Sequence, residues 1–291
     1  MTIDPQEVPM ARMHALLLGS VIPRPIAFAS TVDKDGNVNL SPFSYFNCFG
    51  ANPPVLIFSP ARRGRDNTTK HTYENILEVP EVVIHIVNYS IVQQMSLASG
   101  EYPRGVNEFV KAGFTAIPSL KVKPPRVKEA PVAFECKVIQ VTPTGEKGGA
   151  GNLVICHVMM MHVHEDVVDA SGRIDPFKLD AVARLGGDFY CRVHGDAIFK
   201  IPKPLEKIGI GMDQLPPHIR SSKVLSGNDL GLLAGVEELP QPTRFNDDAE
   251  RLAFQEAQAL GQDAIHRLAH HYIERGKTEQ AWNVLLSGKI N

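Results

Sequence analysis

Residues 24–59 constrain the fold of this chain more than any other segment. Residues 25–32 are apolar and suit a β-strand, and Asp33-Lys34-Asp35-Gly36 follows with the composition of a tight turn. Residues 39–47 mix apolar and polar side chains, Pro53-Pro54 stops that segment, and residues 55–59 resume an apolar strand. We therefore predict two strands joined by a tight turn, then a polar loop and a third strand.

The predicted polar loop carries hydrogen-bonding groups beside aromatic side chains. Ser41, Ser44 and Asn47 are interspersed with Phe43 and Tyr45. Backbone amides and small hydroxyls next to aromatic walls suit a flat ring that is rich in hydrogen-bonding atoms. Because the two aromatic residues could equally alternate into a hydrophobic core, the loop alone leaves both interpretations open.

Several short blocks of the sequence keep a recognisable order. They are Arg-Pro-Ile-Ala, Ser-Thr, Asp-Gly, Ser-Pro-Phe-Ser and Pro-Pro within residues 24–54, then residues 70–76, 107–109, 112–114 and 183–187 with Tyr190. This ordered set, which spans about residues 10–200, resembles the flavin reductase-like proteins, a family that binds FMN in a split β-barrel. His71 departs from the resemblance, since the family usually has an acid there. A histidine could instead lend partial positive charge near neutral pH.

Outside the first segment, residues 1–204 predict strands with few helices between them. Apolar, strand-prone runs occupy residues 81–88, 132–141, 153–163 and, more briefly, 198–202; helices are predicted from a cap at Thr68 or Thr69 to about residue 79 and over residues 90–99. This arrangement favours an antiparallel barrel over a doubly wound sheet. The resemblance refines the fold class to mainly β with α: an antiparallel, Greek-key type, FMN-binding split β-barrel.

Beyond residue 204 the pattern becomes helical, and we expect a helical C-terminal extension over residues 205–291. Helices are predicted to start near Leu215 and to cover residues 228–234, 247–261, 263–275 and 278–286. The common short flavin reductases lack such an extension. The last helices are vaguely similar to one helical-hairpin repeat, but one copy cannot form a solenoid.

The resemblance also implies where FMN would bind. Lys70 and Thr72 match the family positions that contact the phosphate, and a neighbouring arginine could add a bidentate contact. A helix N-terminus would add a favourable dipole. The alternative is that the arginine-rich loop is simply a solvated surface. The full predicted cofactor-binding set is Arg24, Ser41, Phe43, Ser44, Tyr45, Phe46, Asn47, Ser59, Arg62, Arg63, Lys70, Thr72, Asn75, Arg184, Gly187 and Tyr190.

Two members of that set have competing interpretations. Arg24 could pair with the phosphate or with a partner subunit, or it could form an ordinary surface salt bridge. Arg184 belongs to a late block that in the family lies near the flavin, often through the dimer partner. The double glycine, Gly186-Gly187, permits close backbone approach, although a plain turn would also explain it.

The resemblance predicts an oxidoreductase that transfers a hydride from NADH or NADPH to flavin. The cofactor performs the difficult chemistry, so no side chain is nominated as catalytic. The alternative is a flavoredoxin-like FMN electron-transfer protein that exchanges electrons with a protein partner. The family also implies a homodimer with FMN near the subunit interface, and a partner oxygenase or other electron acceptor. Two further alternatives carry less support. In one, the barrel is a scaffold and the helical extension binds the partner; in the other, the chain is a relative that uses pyridoxine phosphate.

Composition and motifs argue against other classes. A net charge of −2 does not suit a nucleic-acid or membrane-surface binder. His162 and His164 share a strand face and His266 and His270 share a helix face, but neither pair has a further ligand at a characteristic spacing, so no metal is expected. The sequence also lacks the G-x-S-x-G and G-x-G-x-x-G patterns of serine hydrolases and dinucleotide-binding folds.

The cysteines and the N-terminal residues suggest a cytoplasmic protein. Cys48, Cys136, Cys156 and Cys191 are scattered without a C-x-x-C spacing, which favours buried thiols in a reducing compartment. The apolar run at residues 15–18 is too short for a signal peptide or a membrane span.

Overall fold

The computed structural model describes residues 1–201, 203, 208–245 and 247–288. The chain divides into two compact units, Met1–Phe199 and Lys200–Asn291. The boundary predicted between residues 204 and 205 lies outside the described residues.

The first unit is built mainly from β-strands. Its strands are β1 (Ala27–Val32), β2 (Val38–Phe43), β3 (Phe46–Ala51), β4 (Pro54–Phe58), β5 (Glu81–Ile86), β6 (Ala116–Ile117), β7 (Arg126–Val127), β8 (Val132–Pro143), β9 (Asn152–Val163), β10 (Val182–Arg184) and β11 (Tyr190–Arg192). Its helices are α1 (Met10–Ser20), α2 (His71–Glu78), α3 (Val92–Ala98), α4 (Glu108–Ala112) and α5 (Pro176–Leu179).

Within the described residues, the main sheet is antiparallel and has seven strands in the order β2-β1-β5-β8-β9-β4-β3. The two edge strands, β2 and β3, are joined by just Ser44 and Tyr45. Three Cα–Cα steps reach about 11 Å at most, so the sheet must curl until its edges approach each other. The result is a barrel that is open between β2 and β3.

The tight turn at the start of this sheet is confirmed. Asp33 Oδ1 accepts hydrogen bonds from the backbone N–H groups of Asp35 (3.0 Å) and Asn37 (2.8 Å), and Gly36 has a φ of 85°. This φ favours glycine, because a Cβ would crowd the backbone there. Strand pairing starts directly after the turn, with Val32 opposite Val38.

The strand predicted at residues 55–59 is present as β4, but β3 was missed, since a polar loop was predicted before that strand. The loop is only Ser44 and Tyr45, and residues 46–51 form β3, which pairs with β4 through a bulge at Cys48 and Gly50. Asn47 to Ala51 are exposed. An edge strand with so little buried surface shows none of the apolar alternation by which strands are predicted.

Two groups of buried side chains stabilise the described part of this unit. Phe28, Leu40, Met95 and Phe109 pack where α3 and α4 cover the sheet. The barrel interior holds a second group that includes Phe43, Phe58, Ile76, Ile84 and Val154, with the rings of Phe43 and Phe58 5.5 Å apart. Burial of side chains this large supplies most of the driving force for the fold.

Two smaller predictions for this unit were wrong, and the prediction of buried free thiols holds for two of the four cysteines. The N-cap residue of α2 is Lys70, because the Thr68 and Thr69 hydroxyls donate instead to Asp66 and Glu74. Residues 198–201 form no strand, and Pro202 lies outside the described residues. Of the cysteines, only Cys136 and Cys156 are buried, whereas Cys191 is half-buried and Cys48 is exposed on β3.

The second unit is helical in its described part. Its helices are α6 (Pro217–Arg220), α7 (Gly227–Leu233), α8 (Asp248–Leu260), α9 (Gln262–Glu274) and α10 (Thr278–Ser287), which confirms the predicted positions to within a few residues. They pack around a core that includes Ile219, Leu233, Ile265 and Leu285. In the described part of the chain, no helix combines the length and the apolar character needed to cross a membrane.

Candidate functional site

A small cavity lined by two cationic side chains, Arg63 and Lys70, lies where β2, α2 and the loop after α3 meet. Its volume is about 20 Å³. We call it the cationic cavity, and its lining consists of Asn39, Ser41, Arg63, Lys70, His71, Thr72, Ser99, Gly100, Glu101, Tyr102 and Glu108. It brings together four residues that the sequence nominated: Ser41, Arg63, Lys70 and Thr72.

The glycine-rich turn between β8 and β9 contacts the arginine-rich loop, residues 60–70 between β4 and α2. The Arg62 N–H donates to the Ala150 carbonyl at 2.8 Å, and the Gly149 N–H donates to the Arg62 carbonyl at 3.0 Å. A Cβ on Gly148 would lie 3.0 Å from the Arg63 carbonyl oxygen, so glycine permits this close approach. Backbone contacts therefore fix the start of the loop, whereas residues 64–68 are exposed to solvent.

The two arginines at the start of this loop point to different partners. The Arg62 guanidinium donates to Asn67 Oδ1 and to the Asn67 carbonyl, each at 2.7 Å, and does not line the cavity. The Arg63 guanidinium donates to Thr68 Oγ1 at 3.0 Å and to the Thr69 carbonyl, and it lines the cavity. Of the two nominated arginines, Arg63 is thus the one placed beside Lys70.

Glu101, which the sequence did not nominate, is the counter-ion of this basic group. Its carboxylate lies 3.2 Å from Arg63 Nε and 3.8 Å from Lys70 Nζ, and it also pairs with Arg65. Partial burial would raise the pKa of Glu101, but the hydrogen bonds from Arg63 and Arg65 lower it overall. Burial, together with the nearby Arg63, lowers the pKa of Lys70.

Buried side-chain hydrogen bonds fix α2 against the sheet. Asn39 Nδ2 donates to Thr72 Oγ1 at 2.8 Å, and Asn75 Nδ2 donates to Thr31 Oγ1 at 3.2 Å. The Thr72 hydroxyl keeps its own hydrogen available to donate, because it is the acceptor in this bond. Asn75 does not line the cationic cavity, so its visible role is to position the helix.

His71 and Glu108 set the remaining charge of the cavity. Burial lowers the pKa of His71 below its usual value. This shift disfavours the partial positive charge that the sequence suggested for this residue. Glu108 is buried, and its Oε2 accepts a hydrogen bond from the Leu40 N–H at 3.0 Å. Burial raises the pKa of Glu108. The Asn-Glu-Phe block contained it, but nothing in the sequence revealed its burial.

A larger cleft adjoins the cationic cavity at the opening of the barrel. Its volume is about 380 Å³. We call it the split cleft, and its lining consists of Ile26, Pro42, Phe43, Ser44, Met95, Ser96, Ser99, Arg184, Asp188 and Tyr190. Ser99 lines both spaces, and Ser41 and Pro42 are consecutive residues of β2, so the two spaces are neighbours.

The hairpin of β10 and β11 forms one side of the split cleft. The Arg184 guanidinium lies 4.5 Å from the centre of the Tyr190 ring and donates to the Gly187 carbonyl at 2.9 Å. Gly187 has a φ of 58°, so the second glycine of the block is needed for the turn. Among the described residues Arg184 makes no ion pair, which leaves a cation available at the cleft.

Arg24 has a different position from the one that a phosphate contact requires. Its side chain is buried, and its guanidinium donates to the backbone carbonyls of Leu18 (2.6 Å), Val21 (2.7 Å) and Leu185 (2.8 Å). Its Nε lies 3.4 Å from Ser44 Oγ. Arg24 lines neither space, so it supports the cleft through Ser44 and the late hairpin.

The other nominated residues lie around the barrel opening or behind it. Tyr45 is 37% exposed, and burial of its hydroxyl raises its pKa. Phe46 stands opposite Phe58 and packs on the barrel core. Asn47 is exposed on β3, where its Oδ1 accepts from the Cys48 N–H. Ser59 is buried, and its Oγ accepts from the Asn152 N–H at 2.9 Å, which ties β4 to β9.

Three of the four paired histidines contact other side chains. His162 Nε2 lies 2.7 Å from Glu135 Oε1. His266 contacts Ser222 and Gln262, whereas His270 contacts Asp229. The described part of the chain contains no group of three or more His, Cys, Asp or Glu residues placed to hold a metal ion.

Comparisons with known proteins agree with this architecture. A family model described as "Flavin reductase like domain" matches residues 18–177. A protein from Aquifex aeolicus is 37% identical over 189 residues, which are 65% of this chain and 94% of that protein.

Two solved structures are similar at the level of the fold. Nitrilotriacetate monooxygenase component B from Bacillus cereus is 35% identical with a TM-score of 0.64, over 69% of this chain and 98% of that one. A split-barrel protein from Shewanella frigidimarina is 26% identical with a TM-score of 0.59, over 70% of this chain and 99% of that one. The chain belongs to the flavin reductase-like family, and its first unit has the predicted split-barrel fold.

Proposed function

We propose that this chain binds FMN and is an oxidoreductase that transfers a hydride from NADH or NADPH to the flavin. The observation that carries the proposal is the adjacency of the cationic cavity and the split cleft. FMN combines a phosphate, a polyol chain and a flat ring. The cationic cavity and the neighbouring cleft of about 380 Å³ offer, side by side, cations for the phosphate, hydroxyls for the polyol chain and room for the ring.

The residues present fit these three parts. Arg63 and Lys70 are the cations for the phosphate, and burial makes their charges more effective than on an open surface. The hydroxyls of Ser41 and Thr72 are donors for the polyol chain. The Phe43-Ser44 segment offers backbone groups and one aromatic wall to the ring.

The protein's contribution to the reaction is binding, orientation and exclusion of water. Bound FMN would supply the redox chemistry by accepting a hydride from the nicotinamide. Arg184, a cation at the split cleft, is placed to attract the negatively charged nucleotide that donates it. No side chain has to act as a general acid in this scheme.

The active form is proposed to be a homodimer with FMN near the subunit interface. In the described structure none of the residues of α1 is buried, although the helix and its C-terminal end carry Leu17 (47% exposed), Val21 (59%) and Ile22 (47%). Phe49 on the edge strand β3 is 63% exposed. Large apolar side chains in such positions are typical of an interface with a second subunit.

A partner oxygenase or another acceptor would use the reduced flavin. The similarity to component B of a monooxygenase supports this proposal. A steady-state assay of NADH and NADPH oxidation with added FMN tests it. Turnover with either nucleotide supports a reductase. Tight FMN binding with negligible turnover would instead favour a flavoredoxin-like electron carrier that needs a protein partner.

A further inference from the structure

The Glu101 carboxylate occupies the centre of the basic group at the cationic cavity. It pairs with Arg63 and Arg65 and lies 3.8 Å from Lys70 Nζ. These basic residues come from the loop before α2, whereas Glu101 comes from the irregular segment between α3 and α4. Two separate parts of the chain thus meet through one negative charge.

The free space that remains beside these cations is small. The cationic cavity has a volume of about 20 Å³, and Glu101 forms part of its wall. A cavity needs about 10–15 Å³ to hold a single water molecule. A phosphate group has five heavy atoms and needs several times that volume. A phosphate that contacts both Arg63 and Lys70 therefore competes with the Glu101 carboxylate for the same place.

The Glu101 side chain is able to move. It is 42% exposed and follows a helix end rather than lying within a regular element. Because the Glu101 end of each ion pair is exposed to solvent, these pairs are individually weak, and exchanging them for contacts with a phosphate has a modest cost. A phosphate that carries close to two negative charges would bind the same cations more strongly than one carboxylate does.

We propose that Glu101 is an internal competitor for the phosphate of the flavin and thereby sets how strongly the protein prefers FMN over riboflavin. This inference rests on the proposed FMN binding. Without ligand, the carboxylate holds the like charges of Arg63, Arg65 and Lys70 together. When a phosphorylated flavin binds, the phosphate takes over these cations and the carboxylate is released to solvent.

The test compares flavin binding by the wild-type protein and by Glu101→Gln. Each protein is freed of flavin and titrated with FMN and, separately, with riboflavin, while quenching of flavin fluorescence reports the dissociation constant. We expect Glu101→Gln to bind FMN about tenfold more tightly, since three weak ion pairs no longer compete. Riboflavin affinity should stay within about twofold, because riboflavin has no phosphate.

Glu165→Gln is the matched control, since it removes the same charge from an exposed residue that forms no ion pair with these cations in the described structure. It should bind both flavins like the wild type. Thermal unfolding shows whether both variants are folded.

Two results would overturn the inference. If FMN binds to Glu101→Gln with unchanged or weaker affinity while the wild type binds FMN normally, Glu101 is not a competitor. An equal gain for FMN and riboflavin would point to a general change in the cleft and would also overturn it. If the wild type binds neither flavin, the proposed function itself fails, and the inference fails with it.

Discussion

Arg24 and Leu185 are 161 positions apart in the sequence, yet Arg24 Nη2 donates a 2.8 Å hydrogen bond to the Leu185 carbonyl oxygen. The same guanidinium bonds the Leu18 and Val21 carbonyls at the end of α1. The backbones of Arg24 and Arg184 also exchange two hydrogen bonds, of 3.0 and 2.9 Å. Arg24 therefore holds the late hairpin, and with it Arg184, against the split cleft.

We expect Arg24→Met to destabilise the protein by about 2–3 kcal/mol, because hydrogen bonds from a charged donor are lost and several carbonyls lose their partner. FMN and riboflavin affinities should fall by the same factor, since Arg24 does not line the cationic cavity. Urea unfolding and flavin titration measure the two effects. Arg12→Met, at an exposed residue of α1, is the control. Equal stability of the two variants would contradict the structural role of Arg24.

Lys70 is expected to bind the flavin phosphate directly. Lys70→Met should weaken FMN binding at least tenfold, because a half-buried charged contact is lost. Riboflavin binding should change less than twofold. Arg62→Met is the control, since its guanidinium bonds Asn67 away from the cavity. If Lys70→Met weakens both flavins equally, the phosphate does not lie at this cavity.

Because His85 is buried in a neutral form, we expect the free energy of unfolding of the first unit to depend on pH. The His85 ring is fully buried; the Val127 N–H donates to its Nε2 at 2.9 Å, and its Nδ1–H donates to the Phe28 carbonyl at 2.8 Å. A protonated ring would place two hydrogens face to face at Nε2. Burial lowers the pKa of His85 to about 4. Below pH 6.5 the unfolded chain therefore binds a proton that the folded chain does not bind until about pH 4.

Stability should accordingly be full above pH 6.5 and should fall by about 3 kcal/mol from this residue alone as the pH drops from 6.5 to 4. His85→Gln removes the titrating group, so its unfolding free energy should depend less steeply on pH in that window, even if the variant is less stable at pH 7. His14→Gln, at an exposed residue, should keep the wild-type slope. Equal slopes for His85→Gln and wild type would refute this account.

The proposed dimer predicts that flavin affinity depends on protein concentration. Dilution below the dimer dissociation constant should weaken FMN binding, because the free energies of association and binding are coupled. Leu17→Glu and Phe49→Asp should shift the protein toward monomers in analytical ultracentrifugation. Leu120→Glu, at an exposed apolar residue outside α1 and β3, should not. A monomer whose FMN affinity is independent of concentration would rule out a shared site.

The sequence predicts the elements whose signals are local. Long apolar strands such as residues 132–141 and 153–163, the turn at Asp33 to Gly36, and the C-terminal helices agree with the structure. β3 was missed because an exposed edge strand has no apolar alternation. The prediction that Thr68 or Thr69 caps α2 was wrong, because both hydroxyls donate hydrogen bonds to carboxylates instead.

Within the candidate site, the sequence identified Lys70, Thr72 and Ser41 through the family resemblance, and the structure places them together. Glu101 could not be identified in the same way. Its relation to Arg63 and Lys70 is a tertiary contact between residues more than 30 positions apart, which carries no local pattern. Arg24, in contrast, was nominated for cofactor binding but has a structural role. A charged residue before a strand gives no sign that its guanidinium will bind backbone carbonyls.

The most direct test of the proposed function is the visible absorption spectrum of the purified protein with FMN, recorded without oxygen before and after NADH or NADPH is added. We predict flavin bands that bleach with at least one of the two nucleotides, which would establish the cofactor and identify the donor. A protein that remains colourless after incubation with FMN and removal of the free flavin would contradict the account.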